Sequence, residues 1–218
     1  ASLEKSFGDW RAPDQLKGTK TLAPLSEQST PRVVLVDKPG AIQSVIRVGQ
    51  AMPDGLDPRN FDFDILNGLL GGGFTARLNM NLREQKGWTY GANSGVGDAR
   101  GPQTFVVSTS IQTDRTAEAL TEISRELHEI GGARPATTQE LDLYRRGQVL
   151  TLPDQFETND ALVGYLRYVT RFEHPYEWIT TLPDRYAAAT PETIRPLVME
   201  TTTAEGDTVT ARAINEVS

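Results

Sequence analysis

Apolar positions recur along this chain with two periods, and the switches between them outline its elements. Val33-Val34-Leu35-Val36-Asp37 is a short apolar run closed by the turn signal Lys38-Pro39-Gly40. From Ala41 to Gly49 the pattern alternates, with Ile42, Ile46 and Val48 on one face and Gln43 and Arg47 on the other. Together these two runs predict an antiparallel hairpin. Helical spacing follows: Phe61, Ile65, Leu66, Leu69 and Leu70 form one stripe, with Asn60 available as a cap. The triplet Gly71-Gly72-Gly73 interrupts it. A second helix is predicted from Phe74 through Leu78 and Leu82 to Gln85, with Gly87 as its stop.

Alternation returns at Trp88–Val96 and at Gln103–Gln112, predicting two strands joined by the turn Asp98-Ala-Arg-Gly-Pro102. Asp114 is placed to cap an amphipathic helix whose apolar face is Leu120, Ile123, Leu127 and Ile130. Beyond it the pattern is mostly helical. Thr137 and Glu140 make a capping-box signature, and further helices are predicted around residues 155–171, from Tyr176 to Ala188, and after Thr190-Pro191-Glu192. Asp207 to Ile214 reads as a final short strand. Two strands, helices, two strands and then a long run of helices predict an α+β fold with a mostly antiparallel sheet packed against several helices. Residues 1–31 read as a lead-in or linker. Leu3, Phe7 and Trp10 there have helical spacing and are expected to anchor on the domain, while Pro13, Pro24 and Pro31 stop any long element. Residues 32–218 are then expected to form a single domain.

Composition narrows the function by exclusion. The 218 residues are 38% hydrophobic and 23% charged, which suits a globular chain with a sizeable core. A net charge of −7 without basic clusters argues against nucleic acid as a partner. No apolar stretch is long enough for a membrane span. Cysteine is absent, which removes disulfides, thiolate metal sites and thiol nucleophiles. The start Ala-Ser-Leu-Glu suggests a processed chain or a piece of a longer one.

The chemistry-bearing residues are few. Of the two histidines, His128 begins an H-E-x-x-H-like run but meets Gly132 at the second ligand position, and His174 begins H-x-x-E-H but meets Trp178. A catalytic zinc needs three protein ligands, so none is expected within this chain. The glycine triplet lacks the register and the G-K-[ST] of a phosphate cradle. No G-x-S-x-G is present, and no carboxylate pair stands out.

Arg83 and Tyr90 remain, seven positions apart across the Gly87 helix stop. The ordinary reading is an exposed helix arginine and a half-buried strand tyrosine. The functional reading is a pair of donors flanking a peptide carbonyl, where a guanidinium and a phenol stabilise a developing oxyanion. Helical geometry turns Arg83 away from the Phe74–Leu78–Leu82 stripe.

The stretch Leu69-Leu-Gly-Gly-Gly-Phe-Thr-Ala-Arg-Leu78, followed by Asn81-Leu-Arg83-Glu-Gln-Lys-Gly87-Trp-Thr-Tyr90-Gly91, resembles the insulinase/pitrilysin family of zinc metallopeptidases, which includes the processing peptidases. The run Val36 to Ser44 is similar to the start of that family's C-terminal halves. The resemblance implies the C-terminal, non-zinc-binding domain of a metallopeptidase, with Arg83 and Tyr90 as catalytic and substrate-binding residues and Gly72 and Gly73 as substrate-binding positions. It implies that this chain binds no cofactor and that zinc sits in a homologous partner domain or subunit. It also implies an extended peptide substrate, a chain inactive when alone, and a periplasmic rather than cytoplasmic setting. A catalytically inactive structural or interaction domain of the same family is the alternative. The family's last strand is strongly apolar, whereas Asp207 to Ile214 is mixed.

Overall fold

The computed structural model describes residues 2–11, 14, 32–201 and 210–214. In chain order the elements are α1 (Ser2–Phe7), β1 (Arg32–Val36), β2 (Gln43–Asp54), α2 (Asn60–Leu70), α3 (α-helical over Arg77–Asn79, then π-helical over Met80–Gln85), β3 (Thr89–Val96), β4 (Pro102–Gln112), α4 (Thr116–Glu129), α5 (Thr138–Leu150), α6 (Asn159–Arg171), α7 (Trp178–Ala188), α8 (Pro191–Thr201) and β5 (Thr210–Ile214). The fold is α+β, as the pattern predicts. Its main sheet is antiparallel with strand order β2-β4-β3.

One face of this sheet builds the core. Ile46 and Met52 of β2, Val107 and Ile111 of β4 and Ala92 of β3 pack with Ile65 and Leu69 of α2, Leu78 and Leu82 of α3, and Ile123 of α4. Leu141 and Ile194 of the later helices join the same cluster. Each such side chain taken from water contributes about 1.5–3 kcal/mol. Tyr165, Val169 and Trp178 form a second, smaller cluster between α6 and α7. The other face of the sheet carries Gln43, Val45 and Arg47 of β2, Ser108 and Ser110 of β4, and Asn93 of β3, all wholly or partly exposed.

Several sequence expectations are corrected. β1 and β2 do not pair as a hairpin: β1 pairs in parallel with β5, Val34 opposite Arg212, and β2 pairs with β4, Ile46 opposite Thr109. The long β4 offers β2 a full-length partner, which a five-residue strand cannot. Asn60 does not cap α2, because its amide nitrogen donates to the Asp54 carbonyl at 2.9 Å and Arg59 takes the cap position. Asp114 lies in a short 3₁₀ turn ahead of α4 and makes no cap bond. Leu120 is exposed, and Ala119, Ile123 and Glu126 are the buried residues of that helix. Phe74 precedes α3 and is exposed, leaving Leu78 and Leu82 as the buried stripe. Leu3, Phe7 and Trp10 are exposed rather than anchored. Other expectations hold: the Thr137–Glu140 capping box forms, and Pro191 is the first residue of α8. Pro13, Pro24, Pro31 and residues 207–209 lie outside the described residues.

Candidate functional site

The segment from Gly71 to Val96 is held by hydrogen bonds that local sequence patterning does not show. The Ser94 amide donates to the Gly71 carbonyl at 2.9 Å, and the Ser94 hydroxyl donates to Asn67 Oδ1 at 2.6 Å. A Cβ on Gly71 would lie 2.5 Å from Ser94 Oγ, so a glycine is required for this approach. Gly72 packs on Asn67 and Gly68, whereas Gly73 faces open space. Both glycines expected to meet a substrate are exposed, but only Gly73 leaves room for an added Cβ.

Asn79, only 4% exposed, ties the same region together. Its Nδ2 donates to the Phe74 carbonyl at 2.7 Å, and its Oδ1 accepts from the Ala92 amide of β3 at 3.2 Å. The π-helical turn then carries Arg83. Such wide turns recur at functional sites because they re-aim side chains. The turn closes on Gly87 at φ 65°, with the Gly87 amide on the Arg83 carbonyl at 3.0 Å and Trp88 on Leu82 at 3.0 Å. This is a glycine cap widened by one residue.

Arg83 has 38% of its side chain exposed. Its guanidinium lies 4.6 Å from the centre of the Phe74 ring, and its Nε is 3.5 Å from Glu84 Oε1. Tyr90 is 92% exposed, against the half-buried tyrosine of the ordinary reading. It sits in an irregularity of β3, where the register with β4 shifts between Thr89 and Ala92. Two threonine hydroxyls hold that bulge: Thr89 and Thr109 both donate to the Gly91 carbonyl at 2.9 Å. Bulges re-aim side chains in this manner. Tyr90 borders a shallow cavity of about 380 Å³ on the outward sheet face, lined also by Gln43, Gly91, Asn93, Ser108 and Ser110. No hydrogen bond joins Arg83 to Tyr90 among the described residues.

Behind the site, Arg77 makes a bidentate pair with Glu140 at 2.8 Å and donates to the Pro135 carbonyl at 2.9 Å. The Arg77 guanidinium, outweighing partial burial, holds the Glu140 carboxyl down at about 2. Asn81 donates to Glu122 at 2.8 Å and to the buried Glu126 at 2.7 Å. At Glu122, burial pushes the carboxyl up, but hydrogen bonds from Asn81, Arg125 and Lys86 outweigh it and bring it to about 2. These contacts fasten α3 to α4 and α5. Sequence reading missed Phe74, Asn79, Thr109 and Arg77 as supports. Its one available signal was the pair of asparagines, 79 and 81, inside a helical run, where asparagine is a poor former.

The histidines do not make a metal centre. The ring of His174 stacks on Trp178 at 3.8 Å, and His128 Nδ1 lies 2.7 Å from the Ser124 carbonyl. Among the described residues no group of three His, Cys, Asp or Glu side chains is placed to hold an ion. No helix among them is long and apolar enough to cross a membrane.

A family model described as the peptidase M16 inactive domain matches residues 1–148. The chain belongs to the M16 peptidase family, as an inactive domain. The insulinase-like resemblance is thereby upheld. Among solved structures, this M16 domain is similar to a peptidase M16 inactive domain from Pseudomonas fluorescens, with 20% identity over 92% of this chain and 47% of the other, at a TM-score of 0.76. A protease from Helicobacter pylori is 18% identical over 97% of this chain and 51% of its own, at a TM-score of 0.80. The periplasmic protease PqqL from Escherichia coli is 16% identical over 92% of this chain and 23% of its own, at 0.65. At these identities the likeness shows the fold. The M16 chain spans about half the length of the first two structures. No curated protein matches it.

Proposed function

We propose that this M16 domain is the non-zinc half of a metallopeptidase, completing an active site whose metal is held by a homologous partner domain or subunit. The observation that carries this reading is Tyr90, almost wholly exposed on a rigidly held bulge at the mouth of the outward cavity. A phenol held at the surface without a partner has its donor free for a ligand. Tyr90, with Arg83 on the adjoining turn, donates to the scissile carbonyl of an extended peptide and stabilises the oxyanion as it forms. Gly73 leaves room for the peptide or the facing backbone to approach. The partner's zinc would polarise the carbonyl and supply activated water.

Residues 32–218 act as one domain in this reading, which the core shared by β2, β3, β4, α2, α3, α4, α5 and α8 supports. Residues 1–31 serve as the lead-in. Periplasmic location is part of the proposal, by analogy with PqqL. The test combines this chain with a zinc-bearing M16 half and follows cleavage of a mixed-sequence peptide library. Cleavage by the pair and none by either part supports the reading. A second reading, an inactive structural domain, is favoured by the inactive-domain description of the family model. It predicts a stable complex that cleaves nothing.

A further inference from the structure

We infer that Phe74 is a positioning residue, an aromatic plate that holds the Arg83 guanidinium where it works with Tyr90. This rests on the reading that Arg83 and Tyr90 act on one substrate. Phe74 is 61% exposed, so its ring is not held by the core. Its one aromatic or cationic partner among the described residues is the Arg83 guanidinium, 4.6 Å from its centre. A cation over an aromatic face is attracted by the ring's quadrupole, and arginine adds flat stacking contact.

The backbone that carries the plate is held in place. Asn79 spends both ends of its buried amide on backbone, one on the Phe74 carbonyl and one on the Ala92 amide. Ala92 lies two residues beyond Tyr90 in the same strand. The loop bearing the plate is thus registered to the strand bearing the phenol through one rigid side chain. In the same conformer Arg83 Nε also lies 3.5 Å from Glu84 Oε1, so ring and carboxylate restrain the guanidinium together. Exposed ion pairs of this type are weak in water, so the ring is the stronger of the two restraints on a flexible arginine. Without the ring, Arg83 would keep only the weak Glu84 contact and would spend less time in its present orientation.

The test has two arms. In the first, proton NMR of the full chain reads the Arg83 side-chain signals. The ring current of Phe74 should shift them upfield; Phe74→Leu should remove the shift, and Phe74→Trp should keep it. Phe74 is exposed, so neither change should lower the melting temperature. In the second arm, the chain is assembled with a zinc-bearing half. Phe74→Leu should lower kcat by about 2- to 5-fold, the population shift expected from an exposed cation–π contact. Phe74→Trp should restore it, and in an Arg83→Ala background Phe74→Leu should have no further effect. Unshifted Arg83 signals in the unmodified chain, or a kcat loss that persists in the Arg83→Ala background, would overturn the inference. If Arg83→Ala itself leaves kcat unchanged, it is the functional reading that fails, and the NMR arm still decides the plate.

Discussion

The amide of Ser94 donates to the carbonyl of Gly71 at 2.9 Å, joining the glycine turn directly to the strand that carries Tyr90. Because a Cβ at position 71 would stand 2.5 Å from Ser94 Oγ and 2.7 Å from its nitrogen, Gly71→Ala should force β3 outward. The expected cost is about 1–3 kcal/mol of stability, as for other overpacked sites. Gly73→Ala meets nothing within 4 Å and should change stability by less than about 0.5 kcal/mol. Urea unfolding of the two variants measures both. Equal effects would contradict the assignment of a packing role to Gly71 and a surface role to Gly73.

The unequal glycines show what patterning reveals and what it leaves hidden. The buried stripes Ile65–Leu66–Leu69 and Leu78–Leu82, the alternation along β4 and the Thr137 capping box depend on neighbours close in sequence, and they are legible there. The partner of β1 is not: Val33 to Val36 is an apolar run whatever it pairs with, and the hairpin turn signal misdirects it. Arg83 and Tyr90 stand out through a family motif. Their supports do not, because Asn79–Ala92, Thr109–Gly91 and Arg77–Glu140 are contacts between distant residues whose types carry no motif.

Acid should weaken the fold through Glu140. Its carboxyl, held by Arg77, titrates at about 2 against an ordinary 4.5. A lowered folded value means that the contribution is complete above pH 4.5 and is lost as pH falls towards 2. Glu122 adds to the same slope. Glu140→Gln retains a side chain able to serve the capping box. It should still flatten the fall in urea midpoint between pH 4.5 and 2. A slope identical to that of the unmodified chain would remove Arg77–Glu140 as its source.

Thr109→Val keeps the side-chain shape on the core face and removes the hydroxyl that donates to Gly91. Loss of this bond should cost about 1 kcal/mol. It should also speed hydrogen exchange at the amides around Tyr90 while those of Val106–Val107 stay protected. Uniformly faster exchange across β4 would indicate a general loss of stability instead of a loosened bulge.

The role of Tyr90 is tested most directly by Tyr90→Phe in the assembled peptidase. The substitution removes one oxygen from an almost fully exposed side chain, so the fold and the docking of the halves should be unaffected. Single-turnover cleavage of a fluorogenic peptide should slow by about 10²-fold or more, the loss typical of one oxyanion donor. Cleavage at the unmodified rate, with the halves still assembled, would contradict the account.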